Sequence, residues 1–169
     1  MIMGYILATV IILQTGFVLK KQINHNDINT KPDRIVVYKN QHKLFVEKDG
    51  RVVRHYPVSF GYQLGKKERS GDGKTPEGHY KIIGKKHRSV FTHSLHISYP
   101  NNNDKMHAIK NGFHPGDAIT IHGTGNDKQL KKSMVNLQNW TRGCIGMHDN
   151  HIQELFKNIS VGTPIDIYP

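Results

Sequence analysis

The sequence contains a single cysteine, Cys144, among 169 residues. An intramolecular disulfide is therefore excluded, and with it every disulfide-stapled scaffold and multi-cysteine zinc ribbon. Acidic residues are also scarce: 13 Asp and Glu stand against 24 Lys and Arg, a net charge of +11. With 36% hydrophobic residues the chain can still build a packed core, so the charge does not indicate a disordered polyelectrolyte. Zinc fingers, RNP-type aromatic strands and long basic helices are missing, which argues against a nucleic-acid-binding domain. Internal repeats and low-complexity tracts are missing too. The cations fall in short clusters (Lys66-Lys67-Arg69, Lys85-Lys86-Arg88, Lys128-Lys131-Lys132) beside Gly or Ser, and these read as solvated loop charges. Outside the cytoplasm they would favour anionic lipid surfaces or acidic wall polymers.

Charge is wholly lacking from Ile2 to Leu19, an 18-residue apolar stretch stopped by Lys20 and Lys21. It is just long enough to span a bilayer, and no polar face marks it as an amphipathic core helix. Residues 1–21 are expected to be an export signal or anchor. No Lys or Arg precedes the apolar run, no small-x-small site follows it, and no cysteine there can take a lipid, so an uncleaved anchor fits better than a released signal. The positive-inside rule applied to Lys20 and Lys21 points the other way and leaves orientation open. Residues 22–33 are polar and Asn-rich and read as a linker. The remaining residues, 34–169, have the length of one domain.

Within that domain the pattern is mainly β. Strands are expected at 35–38, 43–47, 52–60, 79–83, 94–98, 118–122, 144–148 and 164–168, with a tight hairpin at Asp49-Gly50. Helices are expected at 104–111, 129–137 and 150–158, where Ile152, Leu155, Phe156 and Ile159 fall on one face. Asp149 reads as the N-cap of the third, and His148 and His151 as surface groups rather than metal ligands. Residues 61–78 carry five glycines and no apolar run, and are expected to be a long surface excursion.

Cys144 sits in Trp140-Thr141-Arg142-Gly143-Cys144-Ile145-Gly146-Met147. Glycine before the cysteine lets the backbone approach a ligand, and amides there can face a developing oxyanion. In Ala118-Ile119-Thr120-Ile121-His122, alternation puts Thr120 and His122 on the face opposite the isoleucines, with His122 at the strand end. A thiol needs a base to act as a nucleophile near neutral pH, and His122 suits that role; Arg142 adds a nearby cation. Trp140 reads as packing under the loop, and residues 74–78 as a wall of the cleft.

Three separated segments, GDGKTPEGHY at 71–80, IHGTG at 121–125 and TRGCIGM at 141–147, resemble the L,D-transpeptidase catalytic domain (YkuD-like). Further similarity, in SLHISYP at 94–100 and the WTRGCI form of the cysteine motif, is to a subgroup of Gram-negative envelope proteins. The resemblance covers residue 34 to the C-terminus. It implies a mainly β domain of sandwich or barrel-like form with a few short helices, and no cofactor or metal. It implies that Cys144 attacks the L-to-D amide of a tetrapeptide stem, with His122 as base and then acid. Gly143 and Cys144 would supply oxyanion amides, Thr141 would support the loop, and Arg142, Gly123, Thr124 and His96 are candidate substrate-binding residues. The implied partners are peptidoglycan stem peptides and an outer-membrane lipoprotein, with the inner membrane reached through the N-terminal segment and the domain on the periplasmic side.

The chain departs from the family pattern at Arg142, where many members have His, and at Gly146, where many have Arg or Asn. Cys144 also follows His122 by 22 positions, more than usual. Two other readings stay open at this level: a hydrolytic amidase of the same fold releasing a lipoprotein or D-alanine, and a catalytically silent basic wall-binding protein.

Overall fold

The computed structural model of the protein describes residues 31–89, 92–135 and 138–169. The expected anchor at 1–21 and most of the linker lie outside these residues; among the described residues no helix is long and apolar enough to cross a membrane. Eight strands form: β1 (Arg34–Tyr38), β2 (Lys43–Lys48), β3 (Arg51–Pro57), β4 (Gly78–Ser89), β5 (Thr92–Ile97), β6 (Thr120–His122), β7 (Ile145–Gly146) and β8 (Pro164–Tyr168). Three short helices accompany them: α1 (Asn102–Lys110), α2 (Lys128–Val135) and α3 (Asp149–Asn158).

The strands make one sheet in the order β3-β2-β1-β8-β4-β5-β6-β7. Its two ends meet, because Ser59, just past β3, exchanges both backbone hydrogen bonds with Gly146 in β7 at 2.8 Å. The mainly β, barrel-like architecture expected above is therefore what forms, with the cysteine segment at the seam.

Alternation selects the core. Ile35 pairs with Val46 and Ile165, and Val37 with Leu44 and Ile167, so these side chains share the inner face. On the other half, Ile82 opposes Ile97, Leu95 opposes Ile121, and Ile121 opposes Ile145, all at most 2% exposed. Helix α3 closes this interior with Ile152, Leu155, Phe156 and, just past its end, Ile159. The Asp49-Gly50 hairpin turn is present, with both residues at positive φ (49° and 67°) as a type I′ turn requires.

Several boundaries differ from expectation for physical reasons. Strand β6 begins at Thr120 and not at Ala118, because Ala118 adopts a left-handed φ of 56° that breaks the extended run. Strand β4 continues to Ser89, carried past Ile83 by a bulge between Ile82 and Gly84. Asp149 is not an N-cap: His148 holds that position without a side-chain cap bond, and Asp149 is the first helical residue. His151 is not a surface group, since its ring lies half-buried 5.2 Å from Tyr56.

The segment 61–78 is not a loose excursion. Lys67 is buried, against its reading as a solvated charge, and its Nζ meets Asp72 Oδ1 at 2.9 Å. Asp72 also accepts from the amides of Glu68, Arg69 and Lys74. Burial alone would push the Asp72 carboxyl up, yet these amides and Lys67 together hold it at about 2. Backbone bonds from Gln63 to Gly73 and from Lys67 to Thr75 fold the segment on itself and present residues 73–75 to the cysteine loop.

Candidate active site

The parallel pairing of β6 with β7 sets Ile121 beside Ile145 and His122 beside Gly146. Extended one residue back, the same register sets Thr120 beside Cys144. Thr120 and His122 share a face opposite Ile121, and Cys144 and Gly146 share it too. Cys144 and His122 thus stand on one face, one strand and two residues apart, with Cα atoms about 8 Å distant.

Around sulfur the contacts are specific. Thr120 Oγ1 lies 3.6 Å from Cys144 Sγ as donor, and the Ala118 carbonyl lies 3.9 Å from it as acceptor of the thiol proton. Thr141 clasps the loop from within: its hydroxyl donates to the Cys144 carbonyl at 2.7 Å and accepts from the Gly143 amide at 3.1 Å. The Gly143 amide is thereby engaged, whereas the Cys144 amide has no hydrogen-bond partner among the described residues. From the other side Thr75 Oγ1 reaches the same carbonyl at 3.5 Å and accepts from the Gly61 amide.

Gly143 is required by its surroundings. Its φ is 130°, and a Cβ there would lie 2.7 Å from the Lys74 carbonyl oxygen. The segment 74–78 thus does wall the cysteine loop, through its backbone.

His122 is 4% exposed and its Nδ1 meets the Gly123 carbonyl at 2.7 Å. A carbonyl only accepts, so Nδ1 carries the proton and the lone pair resides on Nε2. Burial pushes the His122 pKa down, more than the bond to Gly123 raises it, and the ring is neutral at neutral pH. Trp140 stands edge-on to it, ring centres 5.4 Å apart.

The remaining candidates are spread around this centre. His96 pairs with Thr120 across β5 and β6, which puts it on the same face, one strand further from Cys144. Arg142 is exposed on the cysteine loop. Thr124 and Gly125 are held by Asp149, whose Oδ1 accepts from their amides at 2.8 and 3.0 Å and from Thr92 Oγ1 at 3.1 Å. Gly123 contributes its carbonyl to His122 rather than a free surface. Among the described residues no group of three or more His, Cys, Asp or Glu is placed to hold a metal ion. The 22-residue separation is taken up by α2, which is inserted between β6 and the cysteine loop.

Sequence reasoning missed the contact of Thr120 with sulfur and the hold of Asp149 on the loop after His122. The first was detectable, since Thr120 alternates in phase with His122; the second pairs residues 25 apart and left no local signal.

Over 135 residues the chain is 27% identical to YqjB of Bacillus subtilis, which carries an L,D-transpeptidase name, across 78% of this chain and 68% of that protein. It is 28% identical over 141 residues to YkuD of Bacillus licheniformis, similarly named, across 83% and 68%. Among solved structures, Bd1075 of Bdellovibrio bacteriovorus matches with a TM-score of 0.58 at 27% identity, over 82% of this chain and 48% of that one. The helical cell shape determining protein Pgp2 of Campylobacter jejuni matches in fold with a TM-score of 0.61 at 22% identity, over 82% and 48%. The chain thus spans about half the length of those two solved chains. The family model for the L,D-transpeptidase catalytic domain, YkuD, matches residues 32–167. With a match over most of its length, the chain belongs to the L,D-transpeptidase catalytic domain family.

Proposed function

We propose that the protein is a peptidoglycan-modifying cysteine acyltransferase acting on the L-to-D amide of a tetrapeptide stem. The observation that carries this reading is the placement of Cys144, just before β7, on the face of β6 that carries Thr120 and His122, beside a backbone amide with no partner among the described residues. His122 Nε2 takes the proton from Sγ as sulfur bonds to the amide carbon, and the carbonyl electrons move onto oxygen. The Cys144 amide donates to that oxyanion, while Gly143 and Thr141 fix the loop that aims it. As the intermediate collapses, the carbon–nitrogen bond breaks and protonated His122 returns its proton to the departing D-alanine amine. The resulting thioester is attacked by an amine, a diaminopimelate side chain or a lipoprotein lysine, with His122 accepting the amine proton; as the new carbon–nitrogen bond forms and the carbon–sulfur bond breaks, His122 returns that proton to Cys144 Sγ.

Arg142 and His96 border the site and are proposed to contact substrate, whereas Gly123 and Thr124, expected to do the same, are buried and are proposed to hold His122 in place. The domain is proposed to work on the periplasmic side of the envelope, tethered through residues 2–19.

The test is to incubate the full chain and its Cys144→Ala variant with diaminopimelate-type tetrapeptide muropeptides and with lipoprotein-linked peptidoglycan, following products by mass spectrometry. New cross-links dependent on Cys144 are expected. Cysteine-dependent release of D-alanine or of the linked peptide without cross-links would replace transferase by hydrolase. Identical products from both proteins would favour a silent wall-binding protein.

A further inference from the structure

We propose that Thr120 is a third catalytic side chain, whose hydroxyl donates a hydrogen bond to Cys144 Sγ and stabilises the negative charge that sulfur gains on losing its proton. The inference rests on the reading of Cys144 as nucleophile.

Among the described residues two groups are placed to hydrogen-bond the sulfur, and they serve different protonation states. The Ala118 carbonyl, 3.9 Å away, can only accept, so it suits the thiol and repels a thiolate. The Thr120 hydroxyl, 3.6 Å away, can donate, and a bond to an ionised acceptor is roughly twice as strong as one to a neutral acceptor. Ionisation therefore weakens the first contact and strengthens the second. The position is built into the sheet, because the β6–β7 register sets Thr120 level with Cys144 on a shared face. Ala118 is held left-handed at φ 56°, a conformation that non-glycine residues seldom adopt, and this turn carries its carbonyl to the sulfur.

Among the described residues no Lys, Arg or His is hydrogen-bonded to the sulfur, which leaves the Thr120 hydroxyl as its donor. Burial pushes the His122 pKa down, which favours its neutral ring over an imidazolium beside the sulfur. Arg142, on the same loop, is exposed to solvent. Lys74 turns its backbone towards Gly143 while its Nζ lies 3.6 Å from Glu68. His96, on β5, stands beyond Thr120 from the sulfur.

The test needs no peptidoglycan. Cys144 is the one cysteine of the chain, so alkylation of the full-length protein by iodoacetamide, followed by intact mass, reports on it alone. Thr120→Val keeps the shape and removes the donor; Thr120→Ser keeps the donor. Thr120→Val is expected to alkylate about tenfold more slowly at neutral pH, to shift its rate profile to higher pH, and to converge with wild type at alkaline pH. Thr120→Ser is expected to follow wild type. An unchanged profile in Thr120→Val, or an equal slowing at every pH, would overturn the proposal, the second because it signals altered access rather than a lost donor. Thermal melts of both variants establish that each is folded. Absence of turnover on muropeptides would count against the proposed function and leave this readout intact.

Discussion

The indole of Trp140 occupies the space that a side chain at residue 146 would fill: a Cβ on Gly146 would lie 2.4 Å from Trp140 Cζ2. The same indole stands edge-on to His122. Glycine at 146, a departure from the family pattern, is thus matched by a tryptophan that packs beneath the cysteine loop and against His122. Gly146→Ala is expected to displace the indole, lower the melting temperature and reduce turnover at least tenfold. Gly146→Ala combined with Trp140→Ala should recover part of the stability, a coupling that a double-mutant cycle measures.

The lowered His122 pKa sets a pH limit on the reaction. As the proposed base, His122 works while neutral, so the acid limb of kcat/KM is expected below 6.5, the ordinary histidine value. Stability follows the same direction: the contribution from His122 staying neutral is fully present above 6.5 and is lost as pH falls through its lowered folded value. His122→Gln should flatten that part of the stability profile, as followed by urea unfolding across pH.

Asp149 anchors the turn that carries the Gly123 carbonyl to His122. Asp149→Ala leaves the buried amides of Thr124 and Gly125 without their acceptor, an expected loss of about 2–4 kcal/mol. Asp149→Asn keeps an accepting oxygen and should keep most of that stability. Denaturant unfolding of both variants distinguishes the lost acceptor from the lost charge.

The buried Lys67–Asp72 pair holds the wall behind Gly143. Removing one partner of such a pair strands the other, so Asp72→Ala is expected to destabilise the fold by about 3 kcal/mol and to slow turnover by loosening residues 73–75. Because the Asp72 carboxyl is held at about 2, its contribution is present above the unfolded value of 3.8 and is lost as pH falls through 2. Acid unfolding of wild type and Asp72→Ala should converge at the low end.

Much of this architecture was legible because it is written in short-range pattern. Short β-type runs located β1, β2 and β8, Asp49-Gly50 announced its turn, and the spacing of Ile152, Leu155 and Phe156 gave α3. What was not legible depends on distant partners. Lys67 looks like one cation in a basic loop until Asp72 and its amides enclose it. Asp149 looks like a cap because it opens a helix, yet its carboxylate faces a loop 25 residues earlier. Ala118 gives no sign of a left-handed φ, which ordinary residues adopt only when their surroundings impose it.

The central claim is that Cys144 becomes acylated by a stem peptide. The direct measurement is the intact mass of the full chain quenched in acid during turnover of a diaminopimelate tetrapeptide, with peptide mapping of the product. A mass increase equal to the peptide less D-alanine, located on Cys144 and strongly slowed in His122→Ala, is the predicted result. Turnover of the same peptide that proceeds unchanged in Cys144→Ala, with no adduct on the wild-type chain, would contradict it.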